Sequence, residues 1–469
     1  MEDVQPSATT TFVIFGATGD LATRKLFPAL FSLFCKDALP QRLAIVAFAR
    51  RPFTDEAFRA LVCDSFSEEA RVNINVSSFL EKITYAQGYF DDRTSYMGLA
   101  VKLEEIDRRH GECSNKLFHL AVHPESYEMI LTNLATSGLT IPCGGMRGWT
   151  RVLVEKPFGR DIATAQKLDE LLGDLFKETQ IFRIDHYLAK EALQNILAFR
   201  FSNSIFEPLW NKKHIESVRV SLFEKGVVES RGDFYDTVGA LRDVGQNHML
   251  QMLALIAMDE PRELSARSIR KARAKALSLL SSIPNSALSK RVVRAQYKGF
   301  RHEAGVGKDS ETETYFYAEA HLSGTRWAGV PFYLESGKGM NQSRASISVR
   351  FKRGRILHDH DEANVLTFNI QPRESIEIKF FAKEPGFSMA TEPRVLSFEY
   401  GGETAKIPDA YERVLYDAIR GDQTLMASTD EISASWKFIT PILKQWSALP
   451  LKEYDRGADP AGLRPSLIT

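Results

Sequence analysis

The chain opens on polar residues and then turns apolar. Residues 11–15 (TFVIF) form a short run of bulky aliphatic and aromatic side chains, which predicts a strand. Gly16 breaks it, and apolar positions recur at helical spacing from Leu21. Further short apolar runs lie at Leu43–Ala49, near 116–124 (KLFHLAVHP) and at 151–155 (RVLVE). Helical spacing fills the intervals 55–68, 125–137 and 161–178. Short apolar strands alternating with helices predict a parallel α/β sheet.

The pattern changes after about residue 185. Two helical stretches come first, KEALQNILAFRF and ALRDVGQNHMLQMLALIAM. Alternating segments then dominate: SVRVSLFEK, YFYAEAHL, VPFYLESG, ASISVRFK, LTFNI and SIEIKFF. Period-2 alternation in successive strands predicts an antiparallel sheet with one face covered. The C-terminal stretch returns to helix. The reading is α/β plus α+β: a first domain over 1–184, and a second over 185–469 with a large, mainly antiparallel sheet covered by helices. HEAGVGKDSETET and GRILHDHDEAN read as ordinary surface insertions, and His358 and His360 in the latter as loop residues rather than metal ligands.

The length of 469 residues suits two domains. Sixty basic residues balance sixty acidic ones, so no overall field favours nucleic acid or an anionic membrane. Any anion site must be local. Cys35, Cys63, Cys113 and Cys143 are widely spaced, which argues against a disulfide framework or structural metal and for buried free thiols in a reducing compartment. The first residues, MEDVQPSATT, lack the basic start and apolar run of a signal peptide. No uninterrupted apolar segment approaches the ~18 residues of a membrane span. A soluble, cytoplasmic protein is expected.

The candidate chemistry begins where the first strand stops. In GATGDLA, Gly16 and Gly19 allow a tight turn and close approach of a phosphate, and the following helix points its N-terminus at the same place. The second strand ends in Arg50 and Arg51, where a dinucleotide fold selecting NAD often has an acid. Guanidinium groups there favour the 2′-phosphate of NADP.

Lys156 stands at the C-terminal edge of a predicted parallel strand, where open α/β sheets bind ligands, and Pro157 after it permits a cis bond. RIDHYLAKE follows. A helix from about Asp185 would put His186 and Lys190 on one face with Tyr187 nearby, three donors converging on a phosphate, and would place Ala189 in regular helix. Arg242, Asp243, Gln246, Asn247 and His248 interrupt an apolar helix, and burying them requires partners or a function. Glu224, Lys338 and Arg344 are further charged candidates.

GATGDLA, EKPFGRD, RIDHYLAKE, RFSNSIFEPLWN, RDVGQNHMLQ, GVPFYLESGK and IPDAYERVLYDAI stand together in the order and spacing of one family. From about residue 11 to 447 the chain resembles glucose-6-phosphate dehydrogenase. The resemblance implies a Rossmann-like coenzyme domain, an α+β domain whose sheet packs in a dimer, and a homodimer or homotetramer. It implies oxidation of glucose 6-phosphate at C1 to the 1,5-lactone with hydride transfer to NADP⁺, the first step of the oxidative pentose phosphate pathway. His248 would be the general base and Asp185 the carboxylate that holds it. His186, Tyr187 and Lys190 would grip the phosphate. Lys156 would lie between sugar and coenzyme, Glu224 and Asp243 would accept sugar hydroxyls, and Lys338 and Gln371 would add substrate contacts. Gly16, Ala17, Thr18, Gly19, Asp20 and Leu21 would form the coenzyme loop, and Arg50 would meet the 2′-phosphate. No metal is implied. The family usually has glycine at the position of Ala189, and many members have a basic residue at that of Ser343, for which Arg344 can substitute. Two other readings are an NADP-linked sugar oxidoreductase with a shifted substrate and a silent NADP sensor. His186, Tyr187 and Lys190 argue against the first, and the Asp185–His248 pair against the second.

Overall fold

Thr10–Phe15 (β1) is buried along its whole length, as expected of an apolar strand flanked by strands on both sides. The computed structural model describes residues 9–142, 148–354, 362–400 and 407–465. Cys143, His358 and His360 lie outside the described residues. The chain divides into two units: the first contains the chain up to Gly159, Ala163–Ala189 and Pro408–Ala427, and the second contains Arg160–Ile162, Lys190–Ile407 and the chain from Ser428 onward.

In the first unit, β1 pairs in parallel with Leu43–Ala49 (β2), which pairs with Ile83–Gln87 (β3). On its other side β1 pairs with Asn115–Leu120 (β4), followed by Thr150–Val154 (β5) and Ile181–Ile184 (β6). The strand order is β6-β5-β4-β1-β2-β3, with Met426–Ala427 antiparallel on the outside of β6. The order reverses at β1, and the crevice beyond its C-terminal end is where a doubly wound sheet takes a ligand. The expected helices are present as Asp55–Asp64, Tyr127–Thr136 and Ile162–Leu175. Neither β3 nor the helix Arg93–His110 is apparent from the apolar pattern. β3 is an edge strand buried at alternate positions, and the helix is rich in charge, although Asp92 caps its start and Gly111, at φ 70°, ends it.

The second unit holds a nine-stranded sheet. Its strands are Ile215–Phe223 (β7), Val292–Tyr297 (β8), Tyr315–His321 (β9), Pro331–Gly337 (β10), Arg344–Phe351 (β11), Val365–Gln371 (β12), Ser375–Lys383 (β13) and Thr391–Glu399 (β14), with Leu451–Tyr454 beside β8. The order is β14-β13-β12-β11-β7-β10-β9-β8. Most pairings are antiparallel, but β7 runs parallel to β10, and Leu451–Tyr454 parallel to β8. Helices Glu191–Phe201, Leu250–Ala257, Ala266–Ser278 and Thr429–Lys444 belong to the same unit. Every residue of Leu250–Ala257 is buried, as its apolar sequence, interrupted only by Gln251, leads one to expect. The edge strand β14 exposes Val395, Leu396 and Phe398.

Three cysteines depart from the expected burial: Cys35 and Cys63 are half-buried, Cys113 is exposed, and all three are free thiols. Among the described residues, no helix is long and apolar enough to cross a membrane.

Helix Thr429–Lys444 is anchored by a buried charge. Glu431 accepts the Ser428 N–H at 2.8 Å through Oε2 in a capping box, while its Oε1 accepts Arg273 Nε–H at 2.7 Å. Both side chains of this ion pair are essentially inaccessible. Truncating one partner of such a pair leaves an uncompensated charge in the interior. Arg273→Ala should therefore lower stability by ~3–5 kcal/mol, read from the shift of the urea-unfolding midpoint.

Candidate active site

Gly16 follows β1 directly. Its φ is 77°, and a Cβ there would stand 2.5 Å from the Ala121 carbonyl oxygen and 2.7 Å from Val122 Cγ1. Both the angle and the close approach require glycine. Gly16 and Ala17 N–H donate to the Phe48 carbonyl at 3.0 and 3.3 Å, and Gly19 N–H donates to Gly16 O at 2.9 Å, closing the turn made by Gly16, Ala17, Thr18 and Gly19. Asp20 and Leu21 lead into helix, where a π-helical turn, Ala22–Leu26, passes into the α-helix Phe27–Cys35.

Arg50 and Arg51 sit at an exposed corner beyond β2. Its backbone is held from β3: Gln87 Nε2–H donates to Arg50 O at 3.2 Å, and the Tyr85 hydroxyl lies 2.9 Å from Ala49 O and also meets Arg51 O. Burial pushes the Tyr85 phenol up to about 12, which keeps it protonated and able to donate. β3, which the apolar pattern does not reveal, thus fixes the guanidinium corner beyond β2.

At the end of β5, Glu155 is buried beneath Lys156. His119 Nε2 lies 3.0 Å from Glu155 Oε1, the Tyr411 hydroxyl donates to Oε2 at 3.4 Å, and the Tyr127 hydroxyl donates to the Glu155 carbonyl at 2.8 Å. Burial, then the Glu155 charge, raises both tyrosine pKa values. The Tyr411 ring also lies nearly parallel to the His186 imidazole, 6.1 Å between centroids. One buried polar cluster therefore underlies Lys156 and flanks His186. The Lys156–Pro157 bond is cis.

The segment 185–190 is not helical, contrary to expectation. Asp185 is buried; its Oδ1 accepts the Tyr187 N–H at 3.0 Å, and Leu188 N–H donates to Asp185 O at 3.0 Å. An aspartate side chain that captures the backbone two residues on competes with helix at that point. The helix begins only at Glu191, with Lys190 as its extended N-cap (φ −72°, ψ 136°). The four-residue helical spacing expected of His186 and Lys190 is not formed. Ala189 lies in the turn and is buried, but without positive φ, a geometry that among the described non-glycine residues belongs only to Asp37 and Glu229. Its methyl group meets no left-handed penalty.

In the second unit, five candidates gather at one end of the sheet. Glu224 and Lys338 follow the adjacent parallel strands β7 and β10, whose last residues, Phe223 and Gly337, are in register. Glu224 N–H donates to Gly337 O at 2.9 Å, and the Lys338 ammonium donates to Glu224 Oε2. Arg344 opens β11 opposite Phe223 and donates to Asn369 Oδ1 at 3.4 Å. Gln371 closes β12 opposite Ala345. Lys190 reaches the same end, because the second residue of its helix, Ala192, donates its N–H to Glu374 Oε2 at 2.9 Å, just beyond Gln371. Burial raises the Glu374 carboxyl, and the Lys190 charge partly offsets it. Ser343 does not replace a cation; its hydroxyl accepts the Lys225 N–H at 3.0 Å and braces the residue after Glu224.

Asp243 and His248 lie on a π-helical segment, Leu241–Met249, entered through a kink at Gly239 (φ 71°, ψ 169°). Closure from i to i+5 brings residues five apart toward one face, as an α-helix would not. Asn247 stitches this irregular turn: its Nδ2–H donates to Asp243 O at 2.9 Å and its Oδ1 accepts the His248 N–H at 2.6 Å. His248 is 1% exposed. Sequence reasoning missed Tyr235, buried beside this segment with its ring 5.4 Å from the Lys338 ammonium; burial and then the Asp243 charge raise its phenol. No motif marked it, since an aromatic on a short helix reads as core.

A family model described as the glucose-6-phosphate dehydrogenase NAD binding domain matches residues 13–195, and one described as the C-terminal domain matches 197–464. The chain belongs to the glucose-6-phosphate dehydrogenase family. The glucose-6-phosphate 1-dehydrogenases of Chlamydia muridarum and Treponema pallidum are each 38% identical to it, over 93% and 95% of this chain and 90% and 91% of theirs. A solved glucose-6-phosphate dehydrogenase in complex with its substrate glucose-6-phosphate has a TM-score of 0.88 at 33% identity, covering 97% of this chain and 96% of that one. The Mycobacterium avium enzyme has a TM-score of 0.81 at 29% identity, covering 96% and 95%.

For a family member, the Gly16 turn makes a direct prediction. Gly16→Ala should weaken dinucleotide binding by ~10-fold or more, because the methyl group displaces the Ala121 backbone and the residue resists φ 77°. Fluorescence titration with NADPH measures it; wild-type affinity would show that the turn is not the phosphate cradle.

Proposed function

We propose that this chain oxidises D-glucose 6-phosphate at C1 to 6-phospho-D-glucono-1,5-lactone with NADP⁺ as acceptor, the entry step of the oxidative pentose phosphate pathway. The observation that carries the assignment is the gathering of Lys190, Glu224, Lys338, Arg344 and Gln371 at one end of the second sheet, in a chain that also holds the Gly16 turn. The residues fit NADP: a Cβ at Gly16 would fill the cradle, and Arg50 with Arg51 offers paired guanidiniums for a 2′-phosphate. Gly16, Ala17, Thr18, Gly19, Asp20, Leu21, Arg50 and Lys156 would hold it. When bound, its nicotinamide accepts the hydride leaving C1.

The remaining steps belong to the protein. His248 takes the C1 hydroxyl proton on a ring nitrogen, and Asp185 is the carboxylate that sets its tautomer and stabilises the imidazolium. Asp185 has a second task, since its Oδ1 holds the turn that carries His186 and Tyr187. Those two residues and Lys190 bind the phosphate. Remote from C1, that anchor turns binding energy into orientation of the reacting carbon. Glu224 and Asp243 accept sugar hydroxyls; the Lys338 ammonium already neutralises Glu224, so the pair presents both an acceptor and donors. Arg344 and Gln371 complete the rim. The exposed apolar residues of β14 support association of copies into a homodimer or homotetramer, and the proposed setting is the cytoplasm.

His248→Asn should lower kcat by ~10²–10⁴-fold while leaving KM for glucose 6-phosphate within ~3-fold. Comparable turnover by NADPH absorbance would remove His248 as base. Lys190→Ala should raise KM for glucose 6-phosphate by ~10–100-fold, the value of a charge-assisted hydrogen bond, without changing oxidation of unphosphorylated glucose. An equal effect on both sugars would overturn the phosphate role.

A further inference from the structure

Glu313 lies in HEAGVGKDSETET, the stretch whose composition reads as a surface insertion, yet the residue is buried, with 2% of its surface exposed. Its Oε1 accepts the N–H of Leu241 at 2.9 Å, the first residue of the π-helical segment that carries Asp243 and His248. Its Oε2 accepts the indole N–H of Trp446 at 2.8 Å, and its backbone carbonyl accepts the Ala240 N–H at 3.1 Å. Gly239 makes room, for a Cβ there would stand 2.5 Å from Oε1. The neighbouring backbone is fixed in turn: Thr314 N–H donates to Ala295 O, and Lys338 N–H donates to Thr314 O, each at 2.9 Å.

A buried carboxylate is unfavourable unless its oxygens are satisfied. Burial pushes Glu313 up from the ordinary range, while the Leu241 and Trp446 donors and the Arg242 charge oppose that shift. An apolar residue would fill the volume without the desolvation penalty. What the carboxylate adds is directional: it caps a helix start that lacks an internal acceptor, with charge of the sign favoured there. The capped segment is not a default helix. Its i to i+5 register is less stable than α-helix and persists only where the surroundings hold it.

We propose that Glu313 is a positioning residue for the oxidation, holding the register of Leu241–Met249 so that Asp243 and His248, five residues apart, present themselves to the same substrate. The inference rests on the reading of His248 as base.

The test exploits the two donors. Glu313→Gln keeps one acceptor and puts an amide N–H against the second donor. It should lower kcat by ~10-fold or more with KM for glucose 6-phosphate changed less than ~3-fold. Adding Trp446→Phe removes the excess donor, so the double variant should recover most of the lost turnover, whereas simple loss of stability would add to the damage. Glu313→Asp, with the same charge and shorter reach, should lower kcat severalfold at wild-type KM, and supplies the measurement if the glutamine variant does not fold. Wild-type kcat in Glu313→Gln or Glu313→Asp, or no rescue by Trp446→Phe, overturns the proposal. His248→Asn separates the two readings. If it retains turnover, the base assignment fails; if it is inactive while Glu313→Gln is not impaired, only the Glu313 inference fails.

Discussion

The chemistry of the second unit hangs on the parallel pairing of Ile215–Phe223 with Pro331–Gly337. In an antiparallel pair, residues that follow two neighbouring strands leave at opposite ends of the sheet. Here Phe223 and Gly337 are opposite one another, so Glu224 and Lys338 emerge side by side and pair. Parallel neighbours also demand a long crossover. The chain between these strands supplies it, and within that crossover lies the π-helical segment bearing Asp243 and His248. Antiparallel β11 then returns along β7 and delivers Arg344 to the same end. One local departure from the sheet's prevailing direction thus assembles residues more than a hundred positions apart.

In the first unit the same rule holds across the six parallel strands. Gly16, Arg50 and Asp185 each stand one residue past a strand, after Phe15, Ala49 and Ile184, and Lys156 follows just beyond Val154. Parallel alignment puts all four at one edge, the edge to which a doubly wound sheet brings a ligand. What varies is how each corner is held. Gly16 is held by an angle only glycine takes easily, the Arg50–Arg51 corner by Tyr85 and Gln87 of the next strand, and Lys156 by the carboxylate before it.

Buried carboxylates recur as fasteners. Glu155, Asp185, Glu313 and Glu431 are all nearly inaccessible, and each accepts hydrogen bonds from backbone or side-chain donors, or lies within such distance of them. Each trades desolvation for geometry that an apolar side chain would not enforce. Three of them sit beside irregular backbone: Glu313 at a kinked entry to a π-helix, Asp185 at a turn that replaces a helix, Glu155 at a corner after a strand. Specific geometry has been retained where regular secondary structure would not provide it.

Much of this was legible along the chain. The strands β1, β2, β4 and β5 announce themselves because burial on both faces gives each a short run of apolar residues. The glycine turn and the arginine pair are legible because a strand end and its next residues are contiguous. The edge strands β3 and β14 are not, since an edge buries too little to impose a pattern. The turn at Asp185 reads as helix along the chain because its deciding interaction, a side chain capturing a backbone N–H two residues on, is an alternative that apolar spacing does not register. Glu313 reads as loop because its donors, Leu241 and Trp446, lie 72 and 133 residues away. The sequence by itself determined the elements, the order of the motifs and the residue types the chemistry needs, because these follow from neighbours along the chain. Only the tertiary structure decided the parallel register, the π-helical spacing of Asp243 and His248, and which carboxylates are buried, because each is stable only through partners brought from distant parts of the chain.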